Sequence, residues 1–308
     1  MLPPATTVFR LVNGEGDGLP GLVVDVWGYF ALAQAYDEAW RPHLPLLARA
    51  LLQDGITSVR ALVRGPNGIA DGPEQVVGAP LPEEFTAHED GLAFQVRPGD
   101  ASLLPGLFPH ARPARRRVRE LSAGLEVLNL FAHAGGFTVA ALAGGATGVD
   151  HVDVARKTAP WGARNAAVNG FSPRRCRFVV DDAVAFAERA VRKGRRYGLC
   201  VADVPTFGRG ATRHRVSASG ASHGDTRGLD VVVTRVLDAT ATGGRMVVGV
   251  NAREVGARAL WSAVRRAAVP AGVTPVLEER LGPGPDFPGE EAVLEGTDWR
   301  VLVVRVLR

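Results

Sequence analysis

The chain has 308 residues, enough for two domains at roughly 100–200 residues each. With 46% hydrophobic and 22% charged residues it has the composition of an ordinary folded protein, which excludes wholesale disorder, collagen and coiled coil. The net charge of +4 is unevenly spread, because residues 1–96 hold 12 acids against 5 bases, net −7, while residues 97–308 carry +11.

The first part reads as short strands, VFRLV, GLVVDVW and YFALAQAY, separated by the glycine-rich turn Asn13 to Gly18 and by Gly28. A helix is predicted over about 43–53, where Leu44, Leu47, Ala48 and Leu51 share a face. A strand at 58–64 leads into a Gly/Pro-rich loop, and FTAHEDGLAFQV forms a hairpin turning at Glu89-Asp90-Gly91. Residues 1–96 are thus a small α+β domain without a catalytic cluster. The linking segment ends in a helix whose stretch 112–119 contains five arginines.

Residues 97–308 form the second domain, and from residue 124 strands alternate with helices, the pattern of a doubly wound parallel sheet. Strands are expected at 125–131, 146–152, 176–180, 198–204 and 245–251, with helices at 137–143, 155–168, 183–193, 228–241 and 253–269. VTPVLEERLG and WRVLVVRVL add two more strands, giving a roughly seven-stranded, Rossmann-like α/β sheet. Residues 208–228 lack apolar periodicity and are expected to be a loop. It carries His214, His223, Arg209, Arg213, Arg215 and Arg227 against the single acid Asp225.

No apolar run reaches the roughly 18–20 residues that span a bilayer, and the amino terminus lacks a signal peptide's pattern. Cys176 and Cys200, the only cysteines, make neither a disulfide framework nor a multi-cysteine metal site. A cytoplasmic protein without a membrane or metal partner is expected. The basic excess of residues 97–308, nearly all arginine, suggests a polyanion such as RNA, although arginine-favouring codons explain the same bias.

Open α/β sheets bind ligands outside the carboxyl ends of their strands. The first such end is Asn129-Leu130-Phe131-Ala132-His133-Ala134-Gly135-Gly136-Phe137, where paired glycines permit a tight turn against a ligand, or merely a tight turn. The second carries Asp153, placed to accept ribose hydroxyls or to cap a helix. The third carries Asp181 and Asp182, the latter a cap for a helix at Ala183 or an acceptor for an adenine amino group. The fourth is Ala202-Asp203-Val204-Pro205-Thr206-Phe207, an acid and a proline next to an aromatic able to stack on a base.

Val12–Gly28, VNGEGDGLPGLVVDVWG, and Leu128–Phe137, LNLFAHAGGF, resemble the class I S-adenosylmethionine-dependent methyltransferases that modify cytosine C5 or guanine N7 in large-subunit ribosomal RNA. The resemblance covers nearly the whole chain from about residue 8, leaving no room for the family's preceding PUA domain. It implies that Asn129, Phe131 and Gly135 line S-adenosylmethionine, that Asp153 holds the ribose and Asp182 the adenine. Asp203, Pro205, Thr206 and Phe207 match a DPP(S/T)F motif beside the transferred methyl and the target base, with Asp203 also touching the cofactor. Phe108 and Arg112 match a TGFFLDQR-like segment on the cofactor's other side.

The departures are equally specific. Val204 replaces the motif's first proline, His110 replaces the acid of the TGFFLDQR-like segment, and Asp286-Phe287-Pro288 replaces a DHP-like motif. His133 stands where the family has tyrosine. No cysteine occupies the positions from which a thiolate would add to cytosine C6, so a ring nitrogen is the expected target. The rival expectation is a degenerate relative that binds RNA without methyl transfer, and a third is methylation of a small molecule.

Overall fold

The computed structural model describes residues 5–53, 55–65, 70–99, 106–205, 227–251, 255–288 and 299–308. The chain divides into two compact units, Met1–Arg112 with Pro283–Thr297, and Pro113–Gly282 with Asp298–Arg308.

In the first unit, runs rich in Val, Leu and Ala give β1 (Val8–Asn13), β2 (Leu22–Trp27) and β3 (Phe30–Ala35). Helix α1 (Leu44–Leu51) then crosses over to β4 (Ser58–Arg64), which lies parallel to β3. A helical crossover is what a parallel pair requires. Strand β5 (Ala70–Gly78) completes the sheet β1-β2-β3-β4-β5. That strand corrects the sequence expectation of a loop after residue 64. Its Gly and Pro residues are tolerated because β5 is an edge strand, paired only with β4. Leu22, Val24, Val26, Leu44, Ala48, Val59 and Val63 form the core between sheet and helix. The hairpin of β6 (Phe85–Glu89) and β7 (Leu92–Val96) turns at Asp90 and Gly91, as expected.

Helix α2 (Arg112–Leu121) begins at the last residue of the first unit's leading segment. The second unit then alternates β8 (Glu126–Leu130), α3 (Gly136–Ala143), β9 (Gly148–Asp153), α4 (Thr158–Val168), β10 (Cys176–Val180), α5 (Ala183–Arg192), β11 (Tyr197–Val204), α6 (Arg227–Ala239), β12 (Thr240–Asn251), α7 (Ala257–Ala271), β13 (Thr274–Leu281) and β14 (Trp299–Leu307). The seven strands lie in the order β10-β9-β8-β11-β12-β14-β13. The order reverses between β8 and β11, the crevice where such folds bind ligands.

The sheet is mixed rather than wholly parallel, because β14 enters antiparallel between β12 and β13. β12 also starts at Thr240, five residues before the expected strand. The central strands are continuous apolar runs because helices cover both faces. Leu128, Leu130, Val152, Cys200, Ala202, Met246 and Val248 face α5, α6 and α7 in one cluster. Successive side chains alternate across a strand, so Asn129, His151, Asp153 and Asp203 point to the face carrying α3 and α4. Among the described residues no helix is long and apolar enough to cross a membrane.

Candidate active site

Strand register decides which candidate residues share a place. β8 pairs with β9 and β11 on its two sides, Leu130 opposite both Val152 and Ala202. One residue further on, Asp153, Phe131 and Asp203 therefore stand in a row across the carboxyl edge. The two acids are two strand spacings apart, about 10 Å at roughly 4.8 Å per strand.

The turn after β8 follows an uncommon path, with Phe131 at φ 55°, His133 at φ 46° and Gly135 at φ 86°. Non-glycine residues in this region cost about 1–3 kcal/mol each and persist only when their surroundings hold them. Here β9 and α4 do so. The Ala132 N–H donates to the Val152 carbonyl (3.1 Å), the His133 N–H to Asp153 Oδ2 (2.8 Å) and the Asn165 side chain to the Ala134 carbonyl (2.7 Å). The His133 ring packs against buried Trp161, centroids 5.7 Å apart.

Asp153 is half-buried and also accepts the Ala155 N–H at Oδ1 (2.8 Å). Each carboxylate oxygen thus has one backbone donor that fixes it and a lone pair left for another. Asp182 caps α5 by accepting the Ala185 N–H at Oδ1 (2.9 Å). Its other oxygen makes no hydrogen bond among the described residues. Asp181 pairs with Arg189.

Beneath the turn lies a buried polar row, of which the sequence reading named Asn129 but not Thr138 or His151. Asn129 Nδ2 donates to Thr138 Oγ1 (2.9 Å), which lies 3.1 Å from His151 Nδ1. Asn129 Oδ1 and His151 Nε2 are buried without a partner among the described residues. Burial outweighs the neighbouring Asp153 and holds the imidazole's pKa down at about 4, so the ring is neutral at ordinary pH. It is wedged against two glycines: a Cβ on Gly162 would lie 2.5 Å from His151 Cε1, and one on Gly135 would lie 3.4 Å away. A glycine inside α4 was the sequence signal for this close approach.

At the end of β11, Asp203 Oδ1 accepts the indole N–H of fully buried Trp299 (2.9 Å). The bond crosses over β12 at Gly249, which pairs with Asp203 and Val301. A Cβ there would stand 2.8 Å from Asp203 Oδ1 and 2.9 Å from Val301 Cγ2. Desolvation raises the Asp203 carboxyl above its ordinary value, against the lowering effects of Trp299 and Arg115. Val204 is buried and Pro205 exposed. Thr206 and Phe207 lie outside the described residues, as does the loop sequence from Gly208 to Thr226 with its arginines and histidines.

Phe108 and Arg112 belong to the first unit. Phe108 is half-buried, its ring 5.5 Å from that of His110. Arg112 is buried and engaged locally: it donates to Asp286 Oδ1 (2.9 Å), Asp286 Oδ2 (3.1 Å) and the Val8 carbonyl (2.7 Å), with Glu89 at 3.5 Å. Two of the departures from the resembled motifs meet here, His110 facing Phe287 edge-on at 6.2 Å.

Cys200 is fully buried within β11 and Cys176 partly buried at the start of β10. Burial pushes both thiols up to about 12. Among the described residues no group of three potential ligands is arranged for a metal.

A family profile described as S-adenosylmethionine-dependent methyltransferase matches residues 60–297. A ribosomal RNA large subunit methyltransferase of Deinococcus radiodurans is 31% identical over 214 residues, covering 66% of this chain and 52% of that protein. A ribosomal RNA large subunit methyltransferase I of Aeromonas salmonicida is 27% identical over 306 residues, covering 97% and 74%. The chain thus spans about half the length of the first of these relatives. A proposed methyltransferase solved in complex with SAH superimposes with a TM-score of 0.84 at 21% identity, covering 98% of this chain and 76% of that one.

Proposed function

Because the chain belongs to the S-adenosylmethionine-dependent methyltransferase family, we propose that it methylates a base of large-subunit ribosomal RNA, at a ring nitrogen and not at cytosine C5. The activity named for the Deinococcus and Aeromonas relatives and the arginine excess of residues 97–308 support RNA as substrate. A reducing, cytoplasmic setting is part of this reading and agrees with two unpaired cysteines.

The carboxyl-edge residues suit the cofactor by their chemistry. Asp153 has acceptor capacity for two ribose hydroxyls and is held in place by two backbone donors. The left-handed turn at Phe131, His133 and Gly135 stands beside Asp153 and would line the cofactor there. Asp182 keeps one oxygen for an adenine amino group. When bound, S-adenosylmethionine supplies an electrophilic methyl on sulfonium sulfur. Asp203, fixed through Oδ1 by Trp299, offers Oδ2 to orient the incoming base, and the motif resemblance assigns Pro205, Thr206 and Phe207 to the same task. Orientation alone supplies much of the barrier reduction in such a transfer.

The choice of nitrogen rests on the cysteines. Methylation at C5 requires a thiolate that adds to C6, whereas a ring nitrogen brings its own lone pair. Both thiols of this chain are pushed up to about 12, and Cys200 faces the α5–α7 core, away from Asp203. The test is incubation of the protein and its Cys200→Ala variant with ribosomal RNA and isotope-labelled cofactor, followed by mass spectrometry of the nucleosides. Both proteins should give the same ring-nitrogen product. A 5-methylcytosine product, or no transfer by a folded Cys200→Ala protein, contradicts the reading. The second reading, RNA binding without transfer, is favoured by Val204 in place of a rigid proline and gains if cofactor binds but no product forms.

A further inference from the structure

The other end of the same strands holds a second cluster with opposite charge. A cavity of about 370 Å³ opens at the amino ends of β8, β9, β10 and β11. Its wall includes Arg174, Arg175, Arg177 and Arg195 against the acids Asp150 and Glu126. These arginines come from the short turn Pro173–Arg175, the start of β10 and the segment before β11.

One buried carboxylate organises half of this cluster. Asp150, 5% exposed, accepts Arg177 Nε (2.9 Å) and Nη2 (2.7 Å), Arg195 Nη1 (2.7 Å) and the Tyr197 hydroxyl (2.5 Å). The guanidinium of Arg177 also lies over the Phe186 ring at 5.4 Å, and that of Arg195 over Tyr197 at 5.0 Å. Both remain accessible, with side chains 56% and 36% exposed. Arg195 meets Glu126 at 3.3 Å. The other two arginines have no acid among the described residues. Arg175 donates to the Ala146 carbonyl, and the Arg174 side chain is exposed. Four positive charges against two negative leave two in excess, while Asp150 holds the Arg177 and Arg195 forks in place and a backbone carbonyl holds that of Arg175.

We infer that this cavity is a docking site for the phosphodiester backbone of the RNA substrate, separate from the place where the base is methylated. Planar guanidinium forks match phosphate oxygens bidentately, and phosphate contacts fix register without reading sequence. The lining has polar and charged groups but no exposed aromatic on which a base would stack. The strand from Gly148 to Asp153 separates the two ends of the sheet by about 17 Å at roughly 3.3 Å per residue, so one nucleotide cannot occupy both. The cavity is therefore an anchor for RNA flanking the target. This inference rests on the RNA reading above.

The test uses the full chain and a fluorescently labelled single-stranded RNA fragment of the large subunit, with affinity followed by anisotropy across a salt series. Arg174→Gln combined with Arg175→Gln should make the slope of log affinity against log salt shallower by about 1.4, at roughly 0.7 per phosphate contact on a single strand. Arg266→Gln, which removes a charge on α7 paired with Asp230 of α6, should leave the slope unchanged. Calorimetric binding of S-adenosylmethionine should be the same in all three proteins, which checks that the double variant is folded. A double variant with the wild-type slope would overturn the docking site while leaving RNA as substrate. A wild-type protein that binds the cofactor but no RNA would overturn both.

Discussion

The two ends of the second unit's sheet are built from the same four strands and serve opposite electrostatic purposes. At the carboxyl edge Asp153, Asp182 and Asp203 are set by backbone N–H groups and one indole, and a turn with three left-handed residues passes between them. At the amino edge one carboxylate, Asp150, gathers two arginines and a tyrosine, with two further arginines beside it. Parallel strands make this division possible, because every βα turn lies at one end and every αβ turn at the other. Neighbouring residues on β9 even serve different sides: Asp150 faces the arginines, His151 lies beneath the turn and Asp153 fixes it.

The comparison predicts that the carboxyl edge is sensitive to acid through His151 and to added volume at Gly162. The largest effect belongs to His151. Its value of about 4 lies below the ordinary 6.5, so as pH falls the unfolded chain takes up the proton first. Stability complete above about pH 6.5 is therefore withdrawn between there and about pH 4, on the order of 3 kcal/mol at 1.36 kcal/mol per unit. Urea denaturation of the wild type and His151→Gln across that window should show a steeper acid loss in the wild type. Equal profiles would remove His151 from the account. The Arg174→Gln, Arg175→Gln variant should retain the wild-type profile, because arginine does not titrate there.

Gly162→Ala comes next. The added Cβ would stand 2.5 Å from His151 Cε1 and 3.1 Å from its Nδ1, and overpacking of this kind costs about 1–3 kcal/mol. A lower melting temperature with weakened cofactor binding, and an unaltered RNA salt slope, is the expected combination. A variant as stable as the wild type would mean the ring can move aside and that the turn does not depend on it.

The sequence made the strands of the second unit legible because apolar runs such as CRFVV and the largely buried GLCVADV stand out between helical stretches. It placed Asp153, Asp182 and Asp203 at strand ends for the same reason. Strand β5 was hidden by its Gly and Pro residues, and the antiparallel entry of β14 depends on tertiary pairing that periodicity cannot report. The polar row was hidden too, since Asn129 meets His151 only through the β8–β9 register and Thr138 reaches both from α3. Trp299 reaches Asp203 across 96 positions, with Gly249 as the sole local trace. The Arg112 side chain was read from a motif, whereas its partners Asp286, Glu89 and Val8 are distant in sequence.

The central claim is that the carboxyl edge holds S-adenosylmethionine through Asp153. Calorimetric titration of the wild type and Asp153→Ala with S-adenosylmethionine tests it directly. The account predicts binding by the wild type and at least a tenfold weakening in the variant, about 1.4 kcal/mol, with the variant still folded by circular dichroism. Equal affinity in the two proteins, or no binding by folded wild type, would contradict it.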